Sequence, residues 1–367
     1  MKITVLAGGV GGAKFLLGVK RQLGWDPFGP APAARQAAAD AVTAIVNTGD
    51  DIRLHGLQVC PDLDSCLYTL SGEADTERGW GRRDETWTVQ SELRGYGAEA
   101  PWFSLGDKDI ATHLMRTRML DAGYRLSDVT AALSDRWGPG VKLLPMTDDR
   151  VETHVVVDNP AANTSADDTP AGTEPTAGEA DFSEPVAAGS TPAAAQPEQV
   201  ALHFQEWWVR YRAELPPHAI TPIGADAATP APGVLEAIAD ADLILIAPSN
   251  PVVSVGIVLA VPGIADAIRV AAAPVVAVSP LIGGAPVRGY ADKCLQAIGV
   301  PATAEGVGRH YGSRSGAGGT GLLDGYLIAE GDSADVPGVR VGTAPLLMSD
   351  PDATAEMVAA CRKLVGV

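Results

Sequence analysis

Short apolar runs alternate along the chain with longer segments of helical periodicity. Four of the runs are rich in β-branched residues and end in Gly, Pro, Ser or Asp, namely KITVLAG, AVTAIVNTGDD, ADLILIAPSNP and APVVAVSPLIGG. Such runs are typical of buried parallel strands. Helical spacing is found in AKFLLGVKRQL, DIATHLMRTRMLDAG, LSDVTAALSDRW and HFQEWWVRYRAEL. The pattern predicts an α/β fold, with a Rossmann-like, mostly parallel sheet flanked by helices and a smaller helical or mixed region that covers the substrate.

A glycine-rich loop, AGGVGGAKFL, follows the first predicted strand. The dinucleotide fingerprint G-x-G-x-x-G fits Gly9 and Gly11 but has Lys14 in the place of its third glycine. The Walker A motif G-x-x-x-x-G-K-[ST] fails as well, because Ala13 and Phe15 replace its second glycine and its hydroxyl residue. Two interpretations stay open: an anion site formed by backbone amides at a helix N-terminus, or a tight turn without a ligand.

Carboxylates are concentrated just after the second predicted strand. Asp50 and Asp51 end the strand in NTGDD, and Asp62 and Asp64 follow in CPDLD. Because ligands of a parallel sheet bind beyond the carboxyl ends of the strands, we expect these residues to meet the glycine loop, PSNP and SPLIGG there. Grouped oxygen ligands suit Mg²⁺, although each acid taken singly is equally typical of a helix cap or a turn.

A third polar stretch, WFSLGDKDIATHLMRT, opens a predicted helix. Asp107 and Lys108 lie at its start, and Asp109, His113 and Arg116 recur at helical spacing and share one face. That face suits a phosphate or a polar substrate, and N-terminal capping by one of the aspartates is the alternative.

Composition and charge exclude several classes. The 367 residues carry a net charge of −18, which disfavours nucleic-acid binding. No run is long and apolar enough for a membrane span, and Met1 leads directly into a strand, so we expect a cytoplasmic protein. The four cysteines lack zinc or C-x-x-C spacing and are expected to be reduced and buried. Residues 158–199 are rich in Ala, Pro, Thr, Gly and acid, and we expect a disordered acidic insertion there, at the surface of one domain.

Taken together, these motifs resemble the 2-phospho-L-lactate transferase family of coenzyme F-420 biosynthesis, particularly its actinobacterial branch. The resemblance is carried by GGVGGAKFLLGV, NTGDD, LHGLQVCPDLDSCLYTL, RGWGRRDETW, WFSLGDKDIATHLMRT, HFQEWWVRYRAE, APSNPVVSVG, PVVAVSPLIGGAPVRG and ADKCL. It covers nearly the whole chain apart from the acidic insertion. Two features depart from the family pattern, namely the insertion itself and Lys14, where an arginine is expected.

The resemblance implies a Mg²⁺-dependent transferase. Such enzymes take a phosphoenolpyruvyl or 2-phospho-L-lactyl group from a guanosine-diphosphate-linked donor. They pass it to the terminal ribityl hydroxyl of 7,8-didemethyl-8-hydroxy-5-deazariboflavin (Fo), giving dehydro coenzyme F-420-0 or F-420-0, and GMP. A homodimer is expected, with residues 1–157 and 200–367 forming one α/β transferase domain and an Fo-binding subregion near residues 60–150.

The resemblance also implies roles for particular residues. Asp50 and Asp64 are expected to bind the metal or the Fo hydroxyl, with support from Asp51 and Asp62. The remaining contacts are expected from Gly8, Gly9, Gly11, Gly12 and Lys14 on the donor phosphates, Ser249 and Asn250 on the guanosine side, and Asp107 and Lys108 in the Fo pocket. Trp80, Trp87 and Trp102 are either stacking platforms for the deazaflavin or core aromatics.

Two functions of other classes stay open. A related family with a similar glycine loop suggests a nucleotide-sugar-binding regulatory protein. A nicotinamide-dependent oxidoreductase is the second alternative, and Lys14 counts against it.

Overall fold

A computed structural model describes residues 1–32, 41–98, 100–160, 198–315 and 319–367. Its centre is a seven-stranded sheet in the order β14-β13-β10-β9-β1-β2-β5, and every neighbouring pair in it is parallel. The strands of this sheet are β1 (Lys2–Ala7), β2 (Ala41–Val46), β5 (Lys142–Pro145), β9 (Leu243–Ile246), β10 (Val275–Val278), β13 (Gly325–Ala329) and β14 (Arg340–Ala344). The predicted α/β class is therefore confirmed.

Seven further strands form antiparallel units outside this sheet. Two hairpins, β3-β4 and β11-β12, account for four of them, and the other three form a sheet in the order β7-β6-β8. Their bounds are β3 (Ile52–Leu54), β4 (Leu57–Val59), β6 (Glu152–Asp158), β7 (Gln199–His203), β8 (Ala219–Ile223), β11 (Leu281–Ile282) and β12 (Ala285–Pro286).

Helices cover both faces of the parallel sheet. In the described ranges the α-helices are α1 (Gly9–Gln22), α2 (Pro61–Leu70), α3 (Thr88–Gly95), α4 (Asp107–Asp121), α5 (Leu126–Trp137), α6 (Val234–Ala239), α7 (Val255–Ala260), α8 (Ile264–Val270), α9 (Ala291–Ala297), α10 (Ala304–Tyr311) and α11 (Pro351–Val365). A π-helical turn spans Glu206–Arg210 and a 3₁₀ turn spans Ala225–Ala227. None of these helices combines the length and the apolar composition that a membrane crossing requires.

The alternation of side chains along each strand divides the core into two layers. Leu6 and Ile244 point into one layer, which contains the buried Trp207. Val5 points into the other layer, where it packs with Phe15 of α1. The four cysteines are buried and unpaired, as predicted, and they are Cys60, Cys66, Cys294 and Cys361.

The order of the strands reverses between β1 and β9. From β1 the chain builds the sheet outward through β2 and β5, and after β9 it builds in the opposite direction through β10, β13 and β14. In an open parallel sheet, such a reversal leaves a crevice at the carboxyl ends of the two central strands. The glycine loop after β1 lies at this crevice.

The predicted acidic insertion lies mostly outside the described residues. Its two ends are described: β6 ends at Asp158, which pairs with Gln199 at the start of β7 in an antiparallel ladder. Beyond this pair, the amide of Asn159 donates to the carbonyl of Glu198 at 2.8 Å. The segment therefore joins two neighbouring strands, and strand pairing extends to the edge of the predicted boundaries.

Candidate active site

A cavity of about 810 Å³ opens at the carboxyl edge of the parallel sheet. Its walls include the loops after β1, β2, β9 and β10 and the adjoining ends of α2 and α4. Of the residues predicted for the site, it is lined by Gly8, Gly9, Gly11, Lys14, Asp50, Asp62, Asp64, Ser249 and Asn250. The expectation that these loops gather at the strand ends is confirmed.

The glycine loop is tightly enclosed. Gly8 is the extended N-cap of α1, and a Cβ atom there would lie 2.5 Å from Cβ of Ser254 and 3.0 Å from a carboxylate oxygen of Asp62. A Cβ at Gly12 would lie 2.8 Å from Cβ of Ala7. Gly8 therefore leaves room beside the acidic residues, whereas Gly12 is buried and allows α1 to pack closely on β1.

The loop after β9 is fastened to the glycine loop. The hydroxyl of Ser249 donates to the carbonyl of Gly8 at 2.8 Å and accepts from its amide at 3.2 Å. Oδ1 of Asn250 accepts the amides of Val252 and Val253 at 2.9 and 3.2 Å. The bonds of Ser249 join the two loops, and those of Asn250 fix the turn within the loop after β9.

Asp50 and Asp62 form an acidic pair without a counter-ion. Both are buried, and neither forms an ion pair within the described ranges. Burial, followed by the charge of Asp62, raises the pKa of Asp50 well above its usual value. Burial likewise raises the pKa of Asp62 to about 6, although hydrogen bonds from Asn47 and Gly9 oppose the shift. Oδ1 of Asp50 has no hydrogen-bond partner in the part of the chain that is described. Two desolvated carboxylates of this kind suit a divalent cation.

Asp64 belongs to a different, neutralised network. Nη2 of Arg116 donates to Oδ1 of Asp64, and Nδ1 of His113 lies 3.6 Å from Oδ2. Nε2 of His113 lies 3.3 Å from Oδ1 of Asp109, which also accepts the Tyr68 hydroxyl at 2.7 Å. Asp64, Asp109 and His113 each offer one ligand atom, and these three atoms lie within 4.8 Å of one another. This triad is a possible metal site, but Arg116 already supplies a cation to it.

The charges in this network are set by their neighbours. Burial opposes the charged form of Arg116, but Asp64 outweighs it and raises the pKa of the guanidinium. Burial alone would raise the pKa of Asp109, but the hydrogen bonds from His113 and Tyr68 and the charge of Arg116 together lower it. Asp109 and Arg116 are therefore both charged at neutral pH.

Asp51 lies behind the cavity wall. Burial raises its pKa well above the usual value, against a hydrogen bond from the thiol of Cys60 and the charge of Arg116. Its backbone carbonyl accepts Nε2 of His203 at 3.1 Å, while Nδ1 of that ring accepts the amide of Gln205 at 3.1 Å. His203, from β7, thereby fixes the turn that carries Asp50.

Asp107 and Lys108 have structural partners outside the cavity wall. Asp107 accepts the amides of Thr88 and Val89 at 3.1 and 3.0 Å, so it caps α3. Nζ of Lys108 donates to the carbonyl of Arg83 at 3.0 Å. The cavity is lined instead by Asp109 and His113, which lie farther along the same helix. Their i, i+4 spacing is the signal in the sequence that identifies this face.

Aromatic residues contribute to two cavities. Trp80 and Trp102 line the large cavity, whereas Trp87 lines a smaller one of about 300 Å³ that also includes Trp80. The guanidinium of Arg78 lies between Trp80 and Trp87, 5.0 and 4.9 Å from the ring centroids. Stacking of a ligand on these rings stays a prediction.

Several residues that line the cavity are not singled out by the sequence patterns. They include Tyr68, Phe204, Gln205, Trp208, Arg288 and Tyr290. Most lie in quoted motifs, but no spacing within those motifs indicates that the side chains face the crevice.

The sequence matches known proteins over its whole length. The family model described as 2-phospho-L-lactate transferase CofD matches residues 3–337. Curated relatives named phosphoenolpyruvate transferase include proteins of Mycobacterium sp. (strain JLS), 54% identical over 367 residues, and Mycobacterium avium, 54% identical over 374 residues. Each alignment covers 100% of this chain and 99% of the relative. The acidic insertion lies inside the matched span.

Solved structures share the fold at much lower identity. A crystal structure of a Bacillus halodurans protein is 18% identical, has a TM-score of 0.54 and covers 99% of both chains. A second structure, described as a member of the UPF0052 family from the same organism, is 17% identical, with a TM-score of 0.53 and coverage of 97% and 98%. Because its relatives are named phosphoenolpyruvate transferases, this chain is a transferase of phosphate-containing groups, and it belongs to the 2-phospho-L-lactate transferase family.

Proposed function

We propose that the protein transfers a phosphoenolpyruvyl, or 2-phospho-L-lactyl, group from a guanosine-diphosphate-linked donor to the terminal ribityl hydroxyl of Fo. The products are dehydro coenzyme F-420-0, or F-420-0, and GMP. One observation carries the proposal: the unpaired carboxylates of Asp50 and Asp62 face the glycine loop at the reversal of the sheet, in a chain whose relatives are phosphoenolpyruvate transferases. Phosphoryl transfer needs in-line positioning and neutralised charge, and such a site can supply both.

Mg²⁺ fits the acidic pair. Asp50 and Asp62 offer buried oxygens without a counter-ion, and Mg²⁺ usually combines one or two carboxylates with phosphate oxygens. When bound, the ion would neutralise the diphosphate and polarise the phosphorus that is attacked. The triad of Asp64, Asp109 and His113 is less suitable, because Arg116 already pairs with Asp64.

The donor phosphates fit beside the glycine loop. The first amides of α1 lie at this end of the helix, where an anion is stabilised by the helix dipole. Lys14 in the first turns of α1 is exposed, lines the cavity and has no ion-pair partner in the described ranges. We propose that Lys14 pairs with a phosphate and that Ser249 and Asn250 border the guanosine.

The acceptor hydroxyl fits beside Asp64. Its Oδ2 is buried and accepts no hydrogen bond from the residues described, while Oδ1 accepts Nη2 of Arg116. In the step that we propose, the ribityl oxygen bonds to the phosphorus that carries the three-carbon acid, and the bond from that phosphorus to GMP breaks. Asp64 accepts the hydroxyl proton.

The decisive experiment incubates the protein with Fo, Mg²⁺ and each of the two guanylated donors, followed by mass spectrometry of the deazaflavin. We expect GMP release coupled to loss of free Fo, and the enolpyruvyl product lacks two hydrogen atoms relative to the lactyl product. Stable binding of the donor without turnover would contradict the proposal and favour a regulatory role. We further propose that the protein is a cytoplasmic homodimer. Light scattering after gel filtration would measure its mass.

A further inference from the structure

We infer that Arg288 binds the carboxylate of the three-carbon acid in the donor and so distinguishes the donor from GDP. The inference rests on the proposed function, since phosphoenolpyruvate and 2-phospho-L-lactate both carry a carboxylate next to the phosphoester. Arg288 follows the short strand β12 and lines the same cavity as the acidic pair.

Arg288 is one of two lysine or arginine residues in the cavity wall, the other being Lys14. Its side chain is exposed, and it forms no hydrogen bond or ion pair with any residue that the structure describes. Two other arginines near this cavity have acidic partners: Arg116 pairs with Asp64, and Arg78 pairs with Asp75 at 2.8 Å. Arg288 therefore keeps its donors available for a ligand.

Two glycines hold the side chain and its loop in place. Gly79 has φ +78°, and a Cβ atom there would lie 2.5 and 2.7 Å from the two terminal nitrogens of Arg288. The guanidinium thus lies against the backbone of the segment that follows α2. Gly289, with φ +81°, likewise leaves room for Trp208, because a Cβ atom at Gly289 would lie 2.7 Å from the Trp208 ring. The arginine is positioned by backbone contact rather than by an anionic partner.

Lys14 and Arg288 suit different anionic groups of the donor. The planar guanidinium presents parallel N–H donors that match a carboxylate in a bidentate pair, whereas an ammonium group acts as a point charge. Lys14 lies on α1 beside the glycine loop, where a diphosphate fits. Arg288 lines the same cavity from the loop after β12, and its guanidinium suits the remaining, planar anion.

The test compares Arg288→Gln and Arg288→Lys with the parent in steady-state kinetics with donor and Fo. We expect Arg288→Gln to raise the KM for the donor by roughly 10- to 100-fold, as loss of a charge-assisted bidentate pair implies, and Arg288→Lys to recover only part of it. The KM for Fo and the calorimetric affinity for GDP, which has no carboxylate, should change by less than about threefold. Arg21→Gln, which removes an arginine paired with Asp352 on the surface, is the matched control.

A donor analogue with a carboxamide in place of the carboxylate completes a double-mutant cycle. We expect the analogue to be a poor substrate for the parent and to suffer no further loss with Arg288→Gln. Equal losses for GDP and donor would mean that Arg288 binds phosphate, and a raised KM for Fo would mean that it only positions the segment around Gly79; either result overturns the inference. If the parent itself fails to release GMP from donor and Fo, the proposed function fails instead.

Discussion

Replacing Asp62 by asparagine should stabilise the fold while abolishing turnover. The Asp62 carboxyl is buried beside Asp50, and burial raises its pKa from 3.8 to about 6. A carboxyl whose pKa is higher in the folded state than in the unfolded chain favours folding at low pH. It loses that contribution as the pH rises from the unfolded to the folded pKa. At neutral pH, therefore, the folded protein carries an ionised group that the unfolded chain would solvate better.

The size of the effect follows from the two pKa values. Their difference, multiplied by about 1.36 kcal/mol per unit, gives a cost of up to about 3 kcal/mol above pH 7. Asparagine keeps the shape of the side chain, and its carbonyl can still accept the Nδ2 group of Asn47, which lies 3.0 Å from Asp62 in the parent. The variant thus removes the charge while it preserves the hydrogen bond.

Urea denaturation at pH 8 and pH 5, without divalent cation, measures the difference. We expect Asp62→Asn to raise the free energy of unfolding by about 3 kcal/mol at pH 8 and by about half as much at pH 5, where the parent carboxyl is largely protonated. Mg²⁺ should reduce the difference in free energy of unfolding between variant and parent, because it stabilises the parent more than the variant. Asp135→Asn, an exposed position on α5, should change little at either pH. An Asp62→Asn protein that is no more stable than the parent at pH 8, or equally stabilised at both pH values, would refute the reasoning.

Three further substitutions test the rest of the site. Asp64→Asn should lower turnover at least about tenfold in the GMP-release assay, and urea denaturation should show a loss of about 3 kcal/mol because Arg116 loses its buried counter-ion. Gly8→Ala should weaken GDP binding at least about tenfold in calorimetry, since its Cβ would lie 2.5 Å from that of Ser254; unchanged binding would show that the loop yields. His203→Leu should raise the Mg²⁺ concentration for half-maximal activity by about three- to tenfold, because it removes the donor to Asp51, and normal Mg²⁺ dependence would contradict that role.

The sequence predicts the parts of the site that depend on local order. Apolar runs that end in Gly, Pro, Ser or Asp identify four of the seven strands of the parallel sheet, namely β1, β2, β9 and β10. The carboxyl ends of such strands meet at one edge. Local patterns alone therefore place Gly8, Asp50 and Ser249 in one crevice. In the structure Asp107 accepts the amides that begin α3, a capping role that acidic residues often have, and its contact with Fo stays a prediction.

Contacts between distant loops are not encoded in local patterns. Arg288 touches the backbone of Gly79, and Trp208 touches that of Gly289. Hydrophobic periodicity reports which face of an element is buried, but it carries no information on which loop lies opposite. The same holds for His203, whose contact with Asp51 spans 152 residues.

The roles of the aspartates depend on such a distant contact. Asp62 and Asp64 are neighbours on one helix turn, and their spacing offers no reason to separate them. Arg116, 52 positions away from Asp64, neutralises Asp64 and leaves Asp62 beside Asp50 without a cation. Since a buried carboxylate needs either a counter-ion or a proton, the unneutralised pair is the one that a divalent cation would stabilise most. The position of one arginine thus assigns the metal to Asp50 and Asp62 in our proposal and leaves Asp64 to accept the hydroxyl proton.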